Sequence, residues 1–220
     1  MVAAGAGADA PVTPGGVRAD GIVAVVGGTA PGPGVDVVLS SDVELRARIA
    51  LSSRVAGSAA SVPLPGDLRA AALEQIVGEL LIAREAERVR VASPTEAELR
   101  AERDRLEAEA GSADRLRALM RRLGAGQEEL AAVVRRRALV GGFMRANLEG
   151  ITVVTDAEID RAYAAGDHPF ADRPLPEVRE GLRAWLSRLA LDRAVRRWIG
   201  VLRARTPVTV MVRFEGGAAP

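Results

Sequence analysis

His168 is the only histidine of the 220-residue chain, and it stands in AAGDHPFADRP between Tyr163 and Asp172. An imidazole beside a carboxylate and a phenol has the makings of a general base. No serine or aspartate constellation is legible around it, so His168 reads as an exposed polar loop residue. With no cysteine in the chain, a lone histidine also leaves no ligand spacing for zinc. The carboxylates Glu102, Asp104, Glu107 and Glu109 alternate with Arg100, Arg103 and Arg105. That spacing suits a solvated helix stabilised by pairs three and four apart, not a catalytic acid pair. The glycine runs GGTAPGPG and LGAGQEEL lack the Lys and Ser/Thr that complete a phosphate loop. These readings point to a chain with no catalytic residue, no metal and no cofactor.

Binding chemistry is the remaining class. LGAGQEELAAVVRRRALV, with Arg135, Arg136 and Arg137 on the segment after a glycine turn, has the outline of a helix-turn-helix. Against a DNA reader stands the charge balance: 30 basic residues, all arginine, meet 29 acidic ones, for a net charge of +1. Such a chain exerts little long-range pull on a polyanion, so no nucleic-acid partner is expected. Met120, Phe143, Met144 and Trp185 are the large or polarisable apolar side chains that could contact a variable polypeptide. The alternative, which Trp198 shares, is that they fill a core.

The elements that would position these residues follow from punctuation and periodicity. Residues 1–20, mostly Ala, Gly and Pro, cannot bury enough apolar surface to offset their ordering entropy, and they read as a disordered tether; 215–220 read as a disordered tail. Ile22 to Val26 and Val35 to Leu39 are β-branched runs joined by a Gly- and Pro-rich loop. Ser40 or Ser41, with Glu44 three after Ser41, predicts a capped helix start. After a Gly/Ser/Pro break, Asp67 opens a helix whose Leu73, Ile76, Val77, Leu80 and Leu81 share one face. Ser93, followed by Pro94 and Glu96, predicts the cap of a charged third helix with Leu99 and Leu106 as its sparse apolar points. Gly111, Gly124 to Gly126 and Gly150 bound two more helices, and Thr155 with Glu158 caps a short one ending near Tyr163. A last helix from about Pro176 to Arg205 carries Val178, Leu182, Trp185, Leu186 and Leu189 on one stripe. Val195, Trp198, Ile199 and Leu202 continue the stripe with an offset. Pro207 ends it, and VTVMVRF follows as a strand. A lone hairpin is marginal in water, so the two terminal β-regions are expected to meet in one sheet.

In that order, the elements resemble the core module of the SurA family of periplasmic chaperones and parvulin-type peptidyl-prolyl isomerases. IVAVV followed by LSSDVELRARIAL is similar to the family's opening strand and first helix. LRAAALEQIVGELLIAREAERVRVASPTEAEL resembles its long second helix, link and capped third helix. LGAGQEELAAVVRRRALVGGFM resembles its Leu-Gly turn and following helix, VVTDAEIDRAY its Tyr-containing segment, and the stretch from Pro174 to Val212 its closing helix and strand. The resemblance covers residues 21–214. In isomerase relatives one or two parvulin domains sit between the Tyr-containing helix and the closing helix. Here only AAGDHPFADRP separates Tyr163 from that helix, so isomerase activity is not carried over.

The expectation is therefore a mainly α fold, a helical module over 21–214 with a small antiparallel sheet joining N- and C-terminal strands. The resemblance implies an ATP-independent holdase for unfolded outer-membrane or secreted polypeptides. It also implies a periplasmic or cell-envelope location, with a signal or lipid anchor trimmed from this sequence. A structural or adaptor domain of an envelope assembly is the second reading, and a helix-turn-helix DNA-binding regulator the third. No run reaches the ~18 apolar residues of a membrane span. Monomer and strand- or helix-swapped dimer both stay open.

Overall fold

The computed structural model describes residues 20–52, 63–148 and 153–214. The expected tether up to residue 19, the tail 215–220 and Gly150 lie outside the described residues. Within them the chain is mainly helical, with a three-stranded antiparallel sheet that contains both terminal strands.

β1 (Ile22–Val26) and β2 (Asp36–Leu39) form the hairpin, and β1 is the central strand because β3 (Val208–Val210) pairs on its other side. Ala24 faces Val38 on β2 and Val210 on β3. Strand neighbours on both edges pair its backbone, and Val23, Ala24, Val25 and Val26 are all exposed by 2 % or less. The hairpin loop closes on α2 (Gly66–Arg88): Arg84 donates to the Asp36 carboxylate at 2.7 Å and to the Gly34 carbonyl at 2.9 Å. Gly27 takes a positive φ beside that guanidinium. A Cβ there would sit 2.5 Å from its Nη2, so both the backbone and the space require glycine.

α1 (Ser40–Ser52) starts without the Ser41–Glu44 box that its sequence suggests. The Leu39 amide donates to the Asp42 carboxylate at 2.9 Å, Ser41 bonds Asp20, and Glu44 accepts from Arg48 at 2.9 Å. The helix begins where the strand ends, and this moves the cap two residues upstream. α3 (Glu96–Glu109) shows the opposite displacement. Its capping box is Thr95 with Glu98, so the extended link from α2 continues through Ser93 and Pro94. α6 (Asp156–Ala165) has the expected Thr155–Glu158 box.

Two buried clusters organise the helices. The main one joins the sheet to the apolar face of α2, where Leu73, Ile76, Val77, Leu80 and Leu81 are all buried, and to Val140 and Phe143 of α5 (Gln127–Leu148). The second holds Leu45 and Ile49 of α1 against Leu106 of α3, Leu116, Leu119 and Met120 of α4 (Ala113–Leu123), and Leu130 and Val134 of α5. α7 (Leu175–Arg205) closes the fold, and Thr206 and Pro207 turn it into β3. No helix among the described residues is long and apolar enough to cross a membrane.

Candidate polypeptide-binding site

α7 is a 31-residue helix with Pro176 and Glu177 in its first turn and Arg203 and Arg205 in its last, the charge order its dipole favours. At 1.5 Å per residue it is ~46 Å long. It is anchored at two places.

At its start it packs on α6, and Ile159, Val178 and Leu182 are the buried apolar side chains of that joint. Ion pairs surround them. Arg179 reaches Asp160 at 2.7 Å, and Arg183 reaches Asp156 at 2.7 Å and the Val154 carbonyl at 2.9 Å. The Arg183 hydrogen bond foremost, with Arg179 also 3.3 Å away, holds the Asp156 carboxyl below its ordinary pKa. The loop between the two helices is fastened by its own side chains. Tyr163 Oη donates to the Arg173 carbonyl at 2.8 Å, and its ring stacks on His168 with centroids 5.3 Å apart. His168 Nδ1 accepts the Phe170 amide at 3.1 Å and Nε2 faces the Tyr163 carbonyl at 3.4 Å, an arrangement that fits a neutral ring protonated on Nε2. Both ring nitrogens are thus engaged with backbone, and neither is presented as a base.

Near its end α7 packs on α2 and the main cluster through Trp198, Ile199 and Leu202. The Trp198 and Phe143 ring centroids are 5.1 Å apart, and Arg203 reaches Glu74 at 2.9 Å. The approach depends on Gly78, where an added Cβ would lie 2.8 Å from Ile199 Cδ1. Gly78→Leu is expected to wedge α7 from α2 and cost about 1–3 kcal/mol of stability, seen as a lower midpoint in urea unfolding.

The two anchors use nearly opposite sides of the helix. Leu182 and Leu202 are twenty positions apart, which at 3.6 residues per turn rotates the contact by roughly 200°. The offset between the two apolar stripes is the sequence signal of this change of partner. Between Arg183 and Trp198, roughly 22 Å of helix carries Trp185, Leu186, Leu189 and Val195 half-buried. Those four belong to neither buried cluster. They form the apolar surface best placed to receive another chain.

Of the other residues singled out by type, Met120 and Phe143 are each 5 % exposed and sit inside the second and main clusters respectively. Met144 is partly buried against the main cluster. Trp185 alone lies on the open stretch of α7. The helix pair that suggested a DNA reader turns two of its three arginines inward. Arg136 lies 3.8 Å from Glu79, which Arg46 also holds through two hydrogen bonds of 2.6 and 2.7 Å. Arg137 bridges Glu102 at 2.7 Å and Glu109 at 2.7 and 2.9 Å. Arg135 is exposed. No cluster of His, Asp or Glu that could hold a metal occurs among the described residues. No protein-family model matches this chain, and no curated protein does either.

Proposed function

We propose that this protein is an ATP-independent holdase that binds unfolded or extended polypeptides on the middle of α7, without catalysis. The observation that carries the reading is the half-buried apolar stretch of Trp185, Leu186, Leu189 and Val195 between two firmly packed anchors. A helix gripped at both ends presents those side chains without collapsing onto them, and an extended client can shield its own apolar residues there. Affinity is modest because the client loses conformational freedom on ordering. The order of elements that resembles SurA-type chaperone cores supports the same reading, and with it a role in the cell envelope.

The test is aggregation of an unfolded outer-membrane β-barrel polypeptide without nucleotide. Near-stoichiometric protein is expected to suppress it, with little salt dependence because the contact is mainly apolar. The double variant Trp185→Ser, Leu189→Ser should need about tenfold more protein for equal suppression, a loss of ~1.4 kcal/mol of binding, while its circular dichroism stays that of the folded protein. No suppression by the wild-type protein overturns the reading and leaves an adaptor role ahead.

A further inference from the structure

The two outer edges of the sheet differ. On β2 the outward backbone is closed at both ends: the Val35 amide donates to the Gly32 carbonyl at 3.2 Å and the Leu39 amide to Asp42 at 2.9 Å. Asp36, held by Arg84, adds charge to the same edge. On β3 the bonds to β1 come from alternate residues. Gly27 donates to the Pro207 carbonyl and Met211 to the Val23 carbonyl, each at 2.8 Å, and Val25 faces Thr209 between them. The amides and carbonyls of Val208, Val210 and Val212 therefore point away from the sheet. Val210, Met211 and Val212 are also 43 %, 47 % and 40 % exposed, the longest consecutive run of exposed large apolar residues among those described. Among the described residues no strand pairs with this edge, and an unpaired edge is a template for another strand.

The strand it fits best is its own copy. Val-Thr-Val-Met-Val, residues 208–212, carries valine at the same positions in both directions. Set antiparallel about Val210, Val208 meets Val212, Val210 meets Val210, and every outward amide finds an outward carbonyl. We infer that two copies of this chain pair through β3 across a two-fold axis at Val210, joining their sheets into one. An isologous contact about a two-fold axis uses both β3 edges at once, so it closes at the dimer. The contact is short, so the dimer belongs to the weak, concentration-dependent class.

The natural chain has no cysteine, so Val210→Cys places its only thiol on the proposed axis. Directly hydrogen-bonded antiparallel partners have Cα atoms ~5.5 Å apart, within disulfide reach. Mild oxidation should cross-link Val210→Cys in high yield and leave Val153→Cys, in an exposed linker, mostly monomeric. Sedimentation of the wild-type protein should show mass rising with concentration. Val210→Pro removes an outward amide and no bond to β1, and it should weaken association at least ~tenfold with folding intact. Should that variant fail to fold, Val210→Lys places like charges opposite each other on the axis and tests the same point. A wild-type protein that stays monomeric at millimolar concentration, or equal cross-linking at both cysteines, overturns the inference. So does a monomeric wild type whose client protection is lost in Val210→Pro, which would give the edge to clients instead.

Discussion

A chain ending at Thr206 is expected not to fold cooperatively. Removing β3 opens one side of the central strand, where Ala24, Val25 and Val26 have no measurable exposure, and breaks the pairing of all three. It also strips Val208 and Phe214 from the main cluster, and with Phe214 the ring that lies 5.5 Å from the Arg69 guanidinium. Uncovering several fully buried side chains costs on the order of 5 kcal/mol or more, which is comparable with the whole stability of an ordinary domain. Thermal unfolding followed by circular dichroism checks this. A cooperative transition at an unchanged temperature would mean that β1 does not depend on β3.

The second large effect is expected from Glu102→Ala. The Glu102 side chain is 7 % exposed and the Arg137 side chain 14 %, and their contact joins α3 to α5. Truncating Glu102 removes one of the two carboxylates that hold Arg137 and leaves Glu109 as the other, which costs about 1.5–3 kcal/mol for the lost charged hydrogen bond. Asp104→Ala, on the exposed side of the same helix, should stay within about 0.5 kcal/mol of wild type. Equal midpoints for the two variants in urea would show that the buried contact contributes nothing. Glu109 adds a pH dependence. Its hydrogen bonds from Arg137 lower its pKa from 4.5. A carboxyl whose folded pKa is depressed contributes stability above its unfolded pKa and loses that contribution as pH falls through the folded one. Wild-type stability should therefore decline below about pH 4.5, and Glu109→Gln should flatten part of that decline.

The fold was largely legible because its signals are local. The α2 stripe, the Thr155–Glu158 box and the proline after Arg205 each decide their element from a few neighbours. The terminal strands were legible by elimination, since a hairpin needs a third strand and the chain offers one. Where local chemistry offers two equivalent answers, tertiary structure chose. Ser93–Glu96 and Thr95–Glu98 are both capping boxes on paper, and only the second forms. Glu102 was misread for the same reason. An acid in an alternating charged helix reads as solvated until Arg137, on another helix, is known to face it. The candidate site was half legible. The offset in the α7 stripe is visible in sequence, but the sequence does not tell whether a half-apolar stretch lies against a neighbour. Phe143 and Met120 are chemically as suited to a client as Trp185, and burial alone separates them.

The pairing of Ala24 with Val210 also sets a schedule for biosynthesis. These partners stand 186 positions apart, so at ~5–20 residues per second the ribosome delivers β3 on the order of 10–40 s after β1. For that interval IVAVV has at most its hairpin partner, and one edge of a strongly apolar strand is open to other nascent chains. The final structure can form only once the last strand has left the exit tunnel. Pulse-labelled chains should therefore gain protease resistance only after β3 has been made and exposed, and resistance in chains stalled before Val208 would contradict this order.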